Sequence, residues 1–240
     1  MTTCRRPPSR LHALLLTVAF VLTVAEAPVN GQSVSIGADV VSRYVWRGAD
    51  FGESMSVQPG LTFGFRGLEV GAWGSYSVSA SGADFNENDL WATYTIGVSG
   101  GASIVVGVTD YYFPAPGAEG FSSTNSHTLE LSAAVTGPER FPVSLYGGVM
   151  ARNDPDNSVY LEASFPVSVF EDVEVGLVAG MVAGASGFYG TDAAAVINLG
   201  VSASKAIEIT DSFSLPVSVS YIFNPDQDRA FLVFGLSLAP

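Results

Sequence analysis

The chain has 240 residues, room for one domain of barrel or sandwich size, yet only 14% are charged and the formal net charge is −13. An ordinary soluble domain carries about 25% charged residues, so this chain is short of material for a solvated exterior, and its acidic balance argues against binding nucleic acid through phosphates. Cys4 is the only cysteine and His12 and His127 the only histidines, which excludes a disulfide framework and leaves no transition-metal set.

Arg5, Arg6 and Arg10 precede an apolar run from Leu11 to Ala25, the n-region and h-region of a secretory signal. The run is shorter than the roughly 20 residues of a membrane-spanning helix. Ala25-Glu26-Ala27 resembles a cleavage site, but Pro28 follows it, so cleavage is expected after Gly31, with residues 1–31 removed. Removal takes Arg5, Arg6, Arg10 and Glu26 away and leaves seven basic residues against 22 acidic ones. No later apolar run is long enough to cross a membrane as a helix. A membrane protein of this sequence must therefore span as a closed barrel, because lipid offers no other way to satisfy the backbone.

The first mature stretch, Val34–Gly48, reads two residues at a time, with Ser42 on its apolar face and Val41 and Val45 on the other. Val34, Ile36, Ala38, Val40, Tyr44 and Trp46 share one face, while Asp39, Arg43 and Arg47 share the other with small residues. Similar alternation predicts twelve strands, at roughly 34–47, 54–65, 68–79, 89–98, 102–113, 127–136, 143–152, 158–169, 173–184, 193–204, 214–223 and 230–238. Met55, Val57, Leu61 and Phe63 oppose Ser54, Ser56, Gln58, Gly60 and Thr62. Val159, Leu161, Ala163 and Phe165 oppose Tyr160, Glu162 and Ser164. In the fifth strand Asp110 shares parity with Ile104, Val106 and Val108. Either a bulge shifts the register there, or Asp110 stands above the membrane.

The connections alternate in length. Arg66-Gly67, Ser99–Gly101, Gly137–Pro142 and Phe170–Asp172 are short, and 205–213 is somewhat longer. The intervening set is generally longer and carries much of the acid, including Asp50, Glu53, Asp84, Glu87, Glu119, Asp154 and Asp156. Short turns at one rim and longer loops at the other describe a closed antiparallel outer-membrane β-barrel over residues 32–240, with apolar residues facing lipid. A soluble sandwich with the apolar face as its core is the competing arrangement. The low charge and the lack of lysine on the polar face weigh against it.

The N-terminal third resembles the TorF-type porin family of bacterial outer-membrane proteins. The resemblance rests on VSRYVWRG (Val41–Gly48), VQPGLTFGF (Val57–Phe65) and GLEVGAWGS (Gly67–Ser75), with DYYFP (Asp110–Pro114) further on. Beyond about residue 115 only the general barrel pattern carries over. The resemblance implies a pore in the bacterial outer membrane and brings no catalytic residues. Outer-membrane chains usually end on an aromatic residue. This one ends Leu238-Ala239-Pro240, so Phe234 would serve as the aromatic of the assembly signal.

Chemistry is sparse. Asn125, Ser126, His127 and Glu130 could be offered as a hydrolase set, but adjacent Ser126 and His127 point to opposite faces of a strand. Asn153-Asp154-Pro155-Asp156-Asn157 offers hard oxygen ligands for Ca²⁺, or is simply an acidic turn. No cofactor is expected. By parity the candidate pore-lining residues are Asp39, Arg43, Arg47, Glu69, Glu130, Arg152, Glu162 and Glu174, with Arg43 facing Glu130 and Glu162 at similar depth. Opposed charges of this kind either select among solutes in an open lumen or form a salt-bridged plug. The sequence thus predicts a passive channel for small solutes or ions with weak cation preference. The alternatives are a non-conducting structural or receptor-like barrel and an outer-membrane lipid hydrolase. Expected partners are membrane lipid, lipopolysaccharide and the transported solute.

Overall fold

Leu61, Phe63, Leu131, Val135, Leu232 and Phe234 each keep between 41% and 56% of their surface exposed, while alternate residues of the same strands turn inward. That inversion of the soluble pattern follows from period-2 side-chain alternation around a sheet closed on itself. The structure is a computed structural model describing residues 31–115, 118–170, 172–211 and 213–239. The expected signal segment, apart from Gly31, lies outside the described residues.

The first strands are β1 (Gln32–Val41), β2 (Tyr44–Trp46), β3 (Ala49–Phe51), β4 (Ser56–Phe65), β5 (Leu68–Ser77), β6 (Glu87–Gly97) and β7 (Ser103–Tyr112). They are followed by β8 (His127–Thr136), β9 (Ser144–Arg152), β10 (Val159–Phe170), β11 (Val173–Val182), β12 (Ala195–Thr210), β13 (Phe213–Asn224) and β14 (Arg229–Leu238). All except β2 and β3 form one closed antiparallel barrel of twelve strands, each paired with its neighbours in order and β1 closing against β14. Both termini of the barrel meet at the rim of short turns. Arg66-Gly67, with φ of 49° and 86°, makes one such turn in the type I′ pattern that matches strand twist.

Three departures from the expected strands matter. First, β1 ends at Val41 and does not run to residue 47. Ser42 turns the chain, its amide bonded to Phe234 O at 2.8 Å, and residues 44–51 form a separate two-stranded hairpin. Second, β12 and β13 extend past the expected turn at 205–213 and project beyond the short-turn rim. β12 is 16 residues long where most strands have about ten. Third, β8 and β9 shift register at Leu129/Glu130, so Arg152 pairs with outward-facing Leu129. β7, by contrast, pairs through Asp110 without a shift on either side. Asp110 therefore stays on the outward face near the loop rim, where it meets His127 at 2.8 Å. Tyr112 and Phe121 pack on that histidine, which makes an aromatic cluster at the loop rim.

Candidate functional site

The β2–β3 hairpin enters the barrel and crosses its outer half. Its turn is Arg47-Gly48, with φ of 48° and 77°, again the type I′ pattern. One face carries Tyr44, Trp46 and Phe51 as an aromatic layer, with Tyr44 5.2 Å and Trp46 6.1 Å from Phe51. Tyr44 meets Trp73 on β5, and Trp46 meets Tyr111 on β7 and Phe188 and Tyr189 in the loop after β11. The opposite face places Val45 in an apolar cluster with Ile222 and Phe231. The tip reaches the far wall, where Asn224 Nδ2 donates to Gly48 O at 3.2 Å. A Cβ at Gly48 would run into the carbonyl oxygen of Ile197. Only glycine suits that contact and that φ together.

Arg47 is the centre of the assembly. Its guanidinium donates from Nη1 to Glu130 Oε2 at 2.6 Å and from Nη2 to Glu130 Oε1 at 2.9 Å, a bidentate pair on the luminal face of β8. Nη1 also donates to the Tyr189 hydroxyl at 2.5 Å and Nη2 to the Tyr146 hydroxyl at 2.9 Å. Tyr146 in turn donates to Glu130. The guanidinium carbon lies 4.3 Å from the ring centroids of both Trp46 and Tyr160, so the cation is sandwiched between aromatic faces. Burial pushes the Tyr189 hydroxyl up to about 12, which keeps it protonated in the network. Arg47 and Glu130 are 9% and 1% exposed. Two charges this deep persist because each fills the other's hydrogen-bonding capacity.

Further carboxylates line the same half of the lumen. Glu87 and Asp89 share the luminal face of β6, and Tyr44 donates to Glu87 at 2.8 Å. Glu162 on β10 accepts from the Tyr160 hydroxyl at 2.6 Å and from Asn198 at 3.3 Å. Asp89, Tyr146 and Tyr189 were not singled out from sequence; Tyr160 was expected only on the polar face of its strand, and Glu87 was expected in a loop but opens β6. Starting β6 at Glu87 puts it and Asp89 on the inward parity at once.

The expected pore-lining residues divide. Glu130 and Glu162 are buried on the luminal faces of their strands, and Asp39 lies on the luminal parity of β1 opposite Ser237. Glu69 and Glu174 lie on the luminal parity near the short-turn rim, both exposed, with Ser204 Oγ donating to Glu174 at 3.4 Å. Arg47 lies within the lumen, carried by the hairpin rather than by the wall. Two expectations are corrected. Arg43 does not face Glu130 and Glu162; it sits beyond the end of β1 and pairs with Asp50 of β3 at 2.5 Å. Arg152 does not point inward; the bulge against β8 turns it to the outward face, where it donates to Thr124 O at 2.7 Å.

The hydrolase set is not assembled. His127 binds Asp110 and Phe121 O on the outward side, Ser126 Oγ donates to Ser123 O at 2.7 Å, and Glu130 faces inward to Arg47. In the acidic turn, Asp154 accepts the amides of Asp156 and Ser158, and Asp156 accepts the Gly187 amide at 2.7 Å. These bonds are those of an Asx turn. Among the described residues no group of three or more His, Cys, Asp or Glu is placed to hold a metal ion.

With this geometry in view, comparison with known proteins gives a fold and a family. The solved KdgM porin matches with a TM-score of 0.53 and 11% identity, covering 85% of this chain and 97% of that one. The NanC porin matches with a TM-score of 0.56 and 8% identity, covering 85% and 98%. A KdgM porin in complex with disordered oligogalacturonate matches with 0.52 and 9%, again over 85% and 98%. At these identities the likeness is one of fold. No curated protein matches the chain. A family model described as bacterial protein of unknown function (Gcw_chp) matches residues 25–222.

Proposed function

The chain belongs to the Gcw_chp family of bacterial proteins of unknown function, and we propose that it is an outer-membrane porin-like channel for small solutes or ions, exported with residues 1–31 removed as a signal. The observation that carries this reading is the barrel's two faces. Large apolar side chains are exposed around its outside, from Val34 and Ile36 on β1 to Leu236 and Leu238 on β14, whereas the inward face mixes polar groups such as Ser56, Gln58, Glu87, Glu130 and Glu162 with the aromatic and aliphatic residues packed on the hairpin. An exterior of this kind is stable in lipid and a liability in water. Membrane lipid and lipopolysaccharide are the partners it would meet. The TorF-type likeness of the N-terminal third and the fold shared with KdgM and NanC porins support the same reading.

The charge of the lumen favours cations weakly. Arg47 and Arg43 are each held by a carboxylate, whereas Asp39, Glu69, Glu87, Asp89, Glu162 and Glu174 form no ion pair among the described residues. Oligogalacturonate, present in one KdgM porin complex, is a chain of anionic sugars. This acidic lumen favours a neutral or cationic solute instead. A second reading, a non-conducting barrel that presents its loops to a partner, draws support from the hairpin that fills the outer half. Conductance of the purified protein in a planar bilayer separates the two. Stepwise current with a reversal potential displaced toward the cation value supports the channel, and silence at every applied voltage, both in the parent and in a variant lacking residues 43–52, overturns it.

A further inference from the structure

The geometry points to the β2–β3 hairpin as a hinged plug that undocks from the lumen as a unit, with the Arg47–Glu130 pair as its latch. In the channel reading, on which the consequence for current rests, the docked hairpin is the closed state. The hairpin is a sheet of its own, and its strands join no ladder of the barrel. Among the described residues it is held by side-chain contacts, including the bond from Asn224 Nδ2 to Gly48 O, so leaving the wall breaks no strand pairing. Its pivots are defined. Ser42 remains bonded to Phe234, Met55 O remains bonded to the Val78 amide at 2.9 Å, and between the hairpin and Met55 lie Gly52 and Glu53 with φ of 94° and 50°.

The hairpin packs Trp46 against the cluster of Met150, Val182 and Ile197 and Val45 against Ile222 and Phe231, but the contacts made by Arg47 at the tip are polar. A guanidinium, a carboxylate and the hydroxyls of Tyr146 and Tyr189 meet there, with Tyr160 donating to Glu162 beside them. Groups of this kind return to water at small cost when a lumen is hydrated, unlike the side chains of an apolar core. The hairpin also spans the whole opening. Tyr44 meets Glu87 on β6, Arg47 meets Glu130 on β8, Gly48 meets Asn224 on β13, and Val45 packs on Phe231 of β14. A plug touching every side leaves little path while docked, and its withdrawal clears the outer half at once.

The test uses the full barrel refolded in lipid vesicles and bilayers. Val45→Cys introduces one thiol at a buried hairpin position that is 9% exposed. Its reaction with a membrane-impermeant maleimide reads undocking whether or not the barrel conducts. Adding Glu130→Gln is expected to raise the labelling rate by about tenfold or more, because the latch is lost while the wall stays intact. Arg47→Gln, which attacks the latch from the hairpin side, should do the same and guards against a misfolded Glu130 variant. In bilayers, Val45→Cys with Phe231→Cys, joined through two disulfides by a short bis(methanethiosulfonate) cross-linker with loss of methanesulfinate, should hold the current closed until a reducing thiol cleaves the link. Unchanged labelling in both latch variants would overturn the plug. Faster labelling without current, even after deletion of residues 43–52, would retain the moving hairpin and overturn the channel reading.

Discussion

Arg47 and Glu130, 83 residues apart in sequence, meet inside the barrel in a two-pronged ion pair, with both guanidinium nitrogens on both carboxylate oxygens at 2.6 and 2.9 Å. The pair joins the β2–β3 hairpin, which leaves the wall after β1, to the wall itself. Its worth to stability is a balance of large terms, since desolvating two charges costs several kcal/mol before their attraction returns it. Removing one partner leaves the other buried and unpaired, which costs about 3–5 kcal/mol unless the hairpin swings out and caps the loss. Arg47→Met and Glu130→Gln are each expected to destabilise the barrel, and the double variant to cost less than their sum. Denaturant unfolding of the lipid-refolded protein measures the cycle. Strict additivity would mean that the two side chains do not interact energetically.

The turn that carries Arg47 makes a second demand. Gly48 has a φ of 77°, and a Cβ there would strike the backbone carbonyl of Ile197, which has little freedom to retreat within β12. Gly48→Ala should therefore keep the hairpin tip from seating. Trp46, stacked on Tyr189 at 5.9 Å, would move to a wetter site, with a red-shifted emission and easier quenching by iodide. Gly97→Ala, where nothing lies within 4 Å of the new carbon, is the control and should leave the spectrum unchanged. Equal spectra for the two variants would show that the tip is not packed as described.

The barrel was legible because its physics is local. Alternation in β4, β8 and β10 assigns each side chain to lipid or lumen without knowledge of its partners, and the expected span 127–136 coincides with β8. The hairpin was hidden by the same rule. Val34–Gly48 alternates straight through Ser42 and Arg43, so period alone reads a folded chain as one long strand. A local signal was nevertheless present. Arg47-Gly48 is the same dipeptide as the turn Arg66-Gly67, flanked by Tyr44-Val45-Trp46 and Ala49-Asp50-Phe51, a hairpin in miniature. The pairing of Glu130 with Arg47 rather than Arg43 was not legible. It depends on where the hairpin lands among strands 83 and more residues away. Arg152 was lost to a single bulge, which reverses parity for every residue beyond it.

Facing is tested most sharply by two neighbours in one strand. Leu61 lies midway along β4 and is 49% exposed on the outside, and Thr62 points inward below the hairpin. In the proposed membrane setting Leu61→Lys places an ammonium in the middle of the lipid belt, at a cost of about 2–4 kcal/mol near the bilayer midplane. Thr62→Lys places it in a polar lumen and should cost much less. Folding free energies in lipid vesicles decide between them. The reverse order would mean that the apolar face is a protein core rather than a lipid surface.

Selectivity should follow which charges are neutralised by the fold rather than how many there are. Glu69 and Glu174 stand exposed near the short-turn rim on the luminal parity, and neither belongs to an ion pair among the described residues. Glu130 is cancelled by Arg47, and Arg43 by Asp50. Replacing Glu69 and Glu174 together with Gln is therefore expected to reduce the cation preference directly. Glu130→Gln should move selectivity toward anions by a different route, because it uncovers the charge of Arg47. Arg43→Gln should move it toward cations, because Asp50 is then uncompensated. These shifts should be largest at low salt, since the screening length falls from about 10 Å at 0.1 M to about 3 Å at 1 M. Reversal potentials under a salt gradient read each variant. Anion preference in the parent, or a Glu69/Glu174 double variant identical to it, would show that the rim carboxylates do not face a conducting path.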